Sequence, residues 1–232
     1  MRRDHGYVEA GDEYPPDSGP ATEDSRSPAA QPNDSYLGVE RRLRVPLEQA
    51  ETLVFEPLLA LLSRLGISPN AVSAFQVLLI LGLFYTLPRW PRGSLLLWLG
   101  ALASDGVDGM LARRLGRATT FGMLWDQTCD HVREALVVAA LAHYGAVRPL
   151  WATLYAAAYP AFNLALYLSN RYAVPLALGL KSYLIFYPAL IAYLWWGIDA
   201  LTPALAVATT AMVAGCGVAL WRLHGVLQQP ME

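Results

Sequence analysis

From about residue 67 onward the chain alternates long apolar runs with short polar interruptions. Each run is about as long as a helix must be to cross a ~30 Å hydrocarbon core. Six such spans can be drawn, at residues 70–87, 94–112, 121–144, 150–169, 178–198 and 203–221. Ahead of them the pattern changes. Leu47, Ala50, Val54, Leu58, Leu61 and Leu65 recur at helical spacing, with Glu48, Glu51 and Glu56 between them and Arg41, Arg42 and Arg44 in front. This predicts an amphipathic helix, kinked at Pro57, that either lies in the membrane interface or packs on the bundle. Residues 1–36 hold Pro, Ser, Asp, Glu and Gly without apolar clusters, and they lack the apolar run of a signal peptide.

The expected fold class is an all-α integral membrane protein with six transmembrane helices preceded by an interfacial amphipathic helix. The expected divisions are a disordered tail at 1–36, a juxtamembrane region at 37–66, a six-helix transmembrane domain at 67–225 and a short C-terminal tail at 226–232. Composition agrees: 55% of the 232 residues are hydrophobic and 16% charged, against about 25% charged in soluble domains. The net charge of −2 carries little information, and no nucleic-acid partner is expected. Cys129 and Cys216 fall inside predicted spans and read as small apolar residues, with no disulfide framework.

The basic residues set an orientation. With an even number of crossings, Arg41, Arg42, Arg44, Arg64, Arg113, Arg114, Arg117, Arg171, Lys181 and Arg222 fall on one side, and Arg89, Arg92 and Arg148 on the other. The positive-inside rule places both termini and the loop after Ala112 in the cytoplasm, in a cytoplasmic membrane. Trp90, Trp98, Trp151, Trp195, Trp196 and Trp221 fall near predicted span ends, as an aromatic belt would. Trp125, beside Asp126, is the exception.

Acids interrupt the second and third spans. Asp105, Asp108 and Ala112 stand at i, i+3 and i+7, so they share a helical face beside Gly109, and Arg113 follows. Gly122, Asp126 and Asp130 stand at i, i+4 and i+8 on the next span. An ionised Asp at the centre of a membrane helix costs roughly 2.5–3.5 kcal/mol, and crowded acids also repel one another. A divalent cation held among them compensates both. Oxygen ligands suit a hard ion such as Mg²⁺ or Mn²⁺. The short connection predicts that the two helices are antiparallel neighbours whose acidic faces meet near the cytoplasm. Gly109 and Ala112 suit either the close approach of a ligand or close helix packing. Arg113 suits a phosphate contact or a topology signal.

Written out, the stretch is Asp105-x2-Asp108-Gly109-x2-Ala112-Arg113-x8-Gly122-x3-Asp126-x3-Asp130. It resembles the signature of the CDP-alcohol phosphotransferases at every defining position. The Ser68-Pro69-Asn70 step before the first span is also similar to that family's. The resemblance implies a six-helix bundle with an amphipathic N-terminal helix, a cytoplasm-facing site and a homodimer. It implies displacement of CMP from a CDP-linked lipid donor by the hydroxyl of a small alcohol acceptor, within the membrane lipids. By position, Asp105, Asp108, Asp126 and Asp130 would hold metal, two ions in all, with Asp130 alternatively the catalytic base. Asp105, Gly109, Ala112, Arg113 and Gly122 would contact the CDP moiety.

The acceptor is less defined. The position after the last aspartate, basic in several branches of the family, is His131 here, which departs from that pattern. Arg133, Arg171 and Lys181, with His131, are the candidate acceptor-binding residues. They would suit a phosphorylated acceptor, while Asn163, Asn170 and Ser182 would suit a neutral one. Glu134 suits a pairing with Arg133 or with a cation elsewhere. A prenyltransferase would need a second Asp-rich motif, and Asp199 is the sole Asp after Asp130. An ion-coupled or non-catalytic membrane protein, with the acids as a cation site, is the alternative from another class.

Overall fold

The structure, a computed structural model, describes residues 54–176 and 182–228, and their regular structure is helical throughout. Helix α1 covers residues 54–64. It is followed by α2 (Pro69–Thr86), α3 (Pro91–Arg114), α4 (Thr120–His143), α5 (Pro149–Arg171), α6 (Ser182–Trp196) and α7 (Leu201–Leu227). The 1–36 segment, most of the 37–66 region, Lys181 and the expected start of the fifth span at Leu178 lie outside the described residues.

Local chemistry explains the boundaries. Pro69, Pro91 and Pro149 occupy first helical turns, where a missing N–H costs nothing. The Ser68 Oγ accepts from the Ala71 N–H at 3.2 Å, and the Thr119 Oγ1 accepts from the Gly122 N–H at 3.0 Å. After α3, Gly116 adopts a φ of 62°, which lets the Arg117 N–H reach back to the Ala112 carbonyl at 2.9 Å. Ala173 makes the same turn after α5 at a φ of 58°, a conformation that costs a non-glycine residue about 1 kcal/mol.

The six longer helices close into a ring. α2 packs on α3 and α4, α4 on α5, α5 on α7, α7 on α6, and α6 back on α3. Neighbouring ends are tied together. The Thr86 and Ser94 hydroxyls are 2.7 Å apart, Trp125 Nε1 donates to the Asn70 carbonyl at 3.0 Å, and the Arg92 guanidinium lies over the Trp195 ring at 5.4 Å. Chain direction alternates along the sequence, so the starts of α2, α4 and α6 share one end of the bundle with the finishes of α3, α5 and α7. Arg113, Arg114, Arg117, Arg171 and Arg222 gather at that end, and Arg89, Arg92 and Arg148 at the other.

Two expectations need correction. α3 and α4 are consecutive in the chain, yet their backbones make no extensive close approach, and α2 stands between them. The reason lies on α2, whose buried face carries Ser73 and Gln76, which need the acids of α3 and α4 as partners. Trp98 is also not part of an interfacial belt. It is 1% exposed and meets the Tyr187 ring edge-on at 4.9 Å in the middle of the bundle. Trp90, Trp195, Trp196 and Trp221 are exposed at the helix ends.

The bundle is apolar outside as well as inside. Phe75, Leu78, Leu96, Val213 and Leu220 face outward. Among the described residues three helices, α2, α3 and α7, are long and apolar enough to cross a membrane, and α6 has a shorter apolar run. α4 interrupts its apolar run with Asp126, Asp130, Arg133 and Glu134. On α1, Leu59 is buried, with Phe55 and Leu62 beside it, against Val72, Val107 and Leu111. The parallel stripe Val54, Leu58, Leu61 and Leu65 is exposed. Arg114 Nη1 pairs with Glu56 Oε1 at 2.6 Å and ties α1 to the end of α3.

The packing of α5 on α7 depends on Gly215, where an added Cβ would lie 2.5 Å from a ring carbon of the buried Phe162. An added Cβ at Gly217 meets nothing within 4 Å. Gly215→Ala is expected to lose about 1–2 kcal/mol through overpacking, while Gly217→Ala gains up to ~1 kcal/mol of helix propensity. Thermal unfolding of the two purified variants in detergent should move in opposite directions.

Candidate active site

Asp105, Asp126 and Asp130 each offer a carboxylate oxygen, and these oxygens lie within 4.8 Å of one another. Asp105 comes from α3 and the other two from α4, so the acids bridge two helices whose backbones stay apart. Asp105 lies nine residues before the end of α3 at Arg114, or ~13 Å by helical rise. The cluster therefore sits inside the bundle, in the half nearer the arginine-rich end.

Asp108 stands beside the cluster, close enough to Asp105 and Asp126 for their charges to interact. It is 3% exposed, and its Oδ2 accepts from the Ser73 hydroxyl at 2.5 Å. Asp126 Oδ1 is buried and has no hydrogen-bond partner among the described residues. A buried acceptor without a donor carries a desolvation cost of roughly 1–3 kcal/mol. A cation among these oxygens would relieve that cost, and an all-carboxylate donor set fits a hard divalent ion.

Asp130 is held differently. Its Oδ1 accepts from Gln76 Nε2 at 3.1 Å and from Arg133 Nη1 at 3.0 Å. The same Arg133 nitrogen donates to Gln76 Oε1 at 2.5 Å. A guanidinium can only donate, so the Gln76 oxygen must face it and the Gln76 amide nitrogen must face Asp130. Arg133 also lies 3.8 Å from Asp105 and 3.7 Å from Glu134. Glu134 is 1% exposed. Its Oε2 accepts from the Tyr155 hydroxyl at 3.0 Å and its Oε1 from the Tyr187 hydroxyl.

The remaining candidates are distributed as follows. Gly109 carries the Arg113 guanidinium above it, 3.5 Å from where a Cβ would stand. Asp105, Gly109 and Arg113 thus follow one stripe of α3 at i, i+4 and i+8. Ala112 is half-buried one residue before Arg113. Arg113 lines a cavity of about 200 Å³ with Glu56, Leu59, Met110 and Arg114, between α1 and the end of α3. At Gly122 a Cβ would lie 3.2 Å from Thr119 Oγ1 and 3.5 Å from Asn70 Oδ1, so its bareness lets the starts of α4 and α2 meet. His131 is half-buried, edge-on to the Tyr159 ring at 5.6 Å. Arg171 is exposed and donates to the Tyr167 hydroxyl at 3.3 Å. Arg133 is 2% exposed among the acids, away from the surface position of Arg171.

The family model described as CDP-alcohol phosphatidyltransferase matches residues 66–221. The chain belongs to that family. It is 41% identical over 107 residues to an uncharacterized protein of Aquifex aeolicus, a match covering 45% of this chain and 52% of that one. It is 37% identical over 97 residues to a phosphatidylinositol phosphate synthase of Mycobacteroides abscessus, covering 40% of this chain and 43% of that one. It is 35% identical over 94 residues to a CDP-diacylglycerol–glycerol-3-phosphate 3-phosphatidyltransferase of Escherichia coli, covering 38% and 50%. The chain thus spans about half the length of the curated relatives it matches. No solved structure matches.

Within this CDP-alcohol phosphatidyltransferase fold, the sequence motif pointed to the acids but not to Ser73, Gln76, Tyr155 and Tyr187, which bond Asp108, Asp130 and Glu134. A signal for two of them was present. Ser73 and Gln76 stand three apart on the α2 face that continues inward as Ile80 and Leu83. A polar pair on the inward face of an apolar helix needs polar partners across the interface.

Glu134 receives donors from α5 and α6 and stands beside Arg133. Its replacement by Leu would leave all of these buried groups short of an acceptor. Glu134→Leu is expected to cost roughly 3–5 kcal/mol, against about 1 kcal/mol for Tyr155→Phe. Unfolding by denaturant in mixed micelles measures both.

Proposed function

We propose that this chain catalyses metal-dependent transfer of a phospho-alcohol group, such as phosphatidyl, from a CDP-linked lipid donor to the hydroxyl of a small alcohol, releasing CMP. The observation that carries this reading is the convergence of Asp105, Asp126 and Asp130 from two separated helices, inside a segment matched by the family. On this reading α2 to α7 are six spans of an integral membrane protein. Both termini and the site lie on the cytoplasmic side, supported by the arginines gathered at that end. The homodimeric state rests on resemblance to the family.

Asp105, Asp108 and Asp126 would hold Mg²⁺ or Mn²⁺, with Asp130 beside them as the base. Such ions, when bound, draw charge from the diphosphate oxygens as the bond to CMP breaks. The residues themselves do the rest. Arg113, two turns from Asp105 on the same stripe of α3, is placed to grip donor phosphate with paired N–H groups. Gly109 keeps the surface between them low, so the donor can lie against the backbone. Asp130, with Oδ1 committed to Gln76 and Arg133, has Oδ2 to accept the acceptor's hydroxyl proton. The acceptor oxygen then bonds the lipid-side phosphorus, the bond to the CMP oxygen breaks, and the proton passes to solvent. The acyl chains would remain among the lipids throughout.

For the acceptor, a small phosphorylated polyol is the first candidate. One matched relative is named for making phosphatidylinositol phosphate and another for using glycerol 3-phosphate.

Purified protein in detergent, given CDP-diacylglycerol, Mn²⁺ or Mg²⁺ and a panel of alcohols (glycerol 3-phosphate, inositol 1-phosphate, inositol, serine, choline), should release CMP with one acceptor only. Chelation should abolish release. Asp130→Asn should lower kcat roughly a thousandfold, in the middle of the range of general-base contributions, and still bind CDP. A lack of CMP release with every acceptor, in protein that binds Mn²⁺ and unfolds cooperatively, would sink the assignment.

A further inference from the structure

Arg133 is the one basic side chain among the described residues that is buried within the acidic cluster. Expected from the sequence to meet the acceptor, it is instead committed on both sides. Nη1 holds Asp130 and Gln76, and Nη2 faces Glu134 at 3.7 Å. Glu134 cannot follow it, because its two oxygens are capped by Tyr155 from α5 and Tyr187 from α6. A guanidinium that swung out to a soluble ligand would leave Glu134 and Asp130 with neutral donors only and no counter-charge, and a charge in a buried site is costly unless it is paired. At 2% exposure it also offers a ligand little surface.

We propose that Arg133 is a built-in counter-cation of the acidic site. It is a positioning residue that pins Asp130 through Oδ1, is braced by Gln76 and by the Glu134–Tyr155–Tyr187 cluster, and competes with divalent ions for the site's negative charge. The proposal rests on the reading of Asp130 given above, but its metal arm does not depend on turnover.

Two consequences follow from the geometry. Removing the guanidinium takes a positive charge from 3.0 Å beside Asp130 and 3.8 Å beside Asp105, so a cation should bind the acidic cluster more tightly. Removing it also leaves Asp130 with a single donor, from Gln76, and the base loses its fixed direction. Metal affinity and turnover therefore move in opposite senses. A residue that only supported the fold would lower both, and one that bound the acceptor would raise the acceptor KM.

The test uses the full chain in detergent and three variants, Arg133→Met, Arg133→Lys and Gln76→Leu. Mn²⁺ binding is followed by electron paramagnetic resonance, and CMP release by varying donor and acceptor separately. Arg133→Met should bind Mn²⁺ at least threefold more tightly, with kcat at least a hundredfold lower and the acceptor KM within threefold of the parent. Arg133→Lys keeps the charge, so it should keep the parent Mn²⁺ affinity and recover part of kcat. Gln76→Leu should lower kcat with Mn²⁺ affinity within threefold.

An acceptor KM raised tenfold or more at preserved kcat would overturn the proposal in favour of acceptor binding. Weaker Mn²⁺ binding in Arg133→Met, or in Gln76→Leu if the former does not fold, would overturn it in favour of a structural role. If the parent releases no CMP at all, the assigned reaction fails, while the Mn²⁺ affinities of Arg133→Met and Arg133→Lys still decide the counter-cation.

Discussion

Negative charge inside an apolar bundle has to be compensated, and this structure is organised around that requirement. Five carboxylates, those of Asp105, Asp108, Asp126, Asp130 and Glu134, are gathered near one guanidinium, that of Arg133. If all are ionised, four negative charges remain, which two divalent cations would neutralise. The rest is met by hydrogen bonds that cross between helices: Ser73 to Asp108, Gln76 to Asp130, and Tyr155 and Tyr187 to Glu134. Each bond is worth only about 1 kcal/mol net, yet each costs more to leave unmade. That asymmetry fixes where α2, α5 and α6 must stand relative to α3 and α4.

The most consequential placement is that of α2. A helix with an inward face of Val72, Ile80 and Leu83 alone would have no reason to choose the groove between two acid-bearing helices. Ser73 and Gln76 supply it. By occupying the space between α3 and α4, α2 keeps their backbones apart while their carboxylates still converge. The separation is what leaves Asp105 partly exposed, at 36% of its side chain, instead of sealed in a tight helix pair. An acid that must meet a ligand cannot be closed off by packing.

Much of this was legible in the sequence. The i, i+3 and i, i+4 spacings of the acids are properties of a single helix, and a single helix is what a local pattern describes. The helix starts were legible for the same reason, through Pro69, Pro91, Pro149 and the capping hydroxyls of Ser68 and Thr119. Which helices become neighbours was not. Gln76 meets Arg133 and Asp130 across more than fifty residues of chain, and Tyr187 meets Glu134 across fifty-three. Short connections suggested that α3 and α4 would be partners, and the polar face of α2 overrode that. Trp98 misled in a similar way. A tryptophan near a span end reads as interfacial unless its face is known to turn inward, toward Tyr187.

The acids divide by how they are held. Asp108 is fixed by Ser73, and Asp130 by Gln76 and Arg133, before any ligand arrives. Asp126 keeps a buried oxygen without a donor among the described residues. Asp105, from the opposite helix, reaches its nearest cation, Arg133, at 3.8 Å. The fixed pair belongs one to each helix, and so does the less constrained pair. A cation bound on the proposed reading would therefore join α3 to α4 through Asp105 and Asp126, and so supply the contact that the ring of helices leaves out. The aromatic interior beneath, with Trp98 against Tyr187 and Tyr155 against Phe186, makes that end of the site unyielding, since Tyr155 and Tyr187 are also the groups that hold Glu134. Motion on ligand binding is thus expected at the arginine-rich ends of α3 and α4, which residues 115–119 connect without extensive packing of one helix on the other, and not at the base of the acidic site.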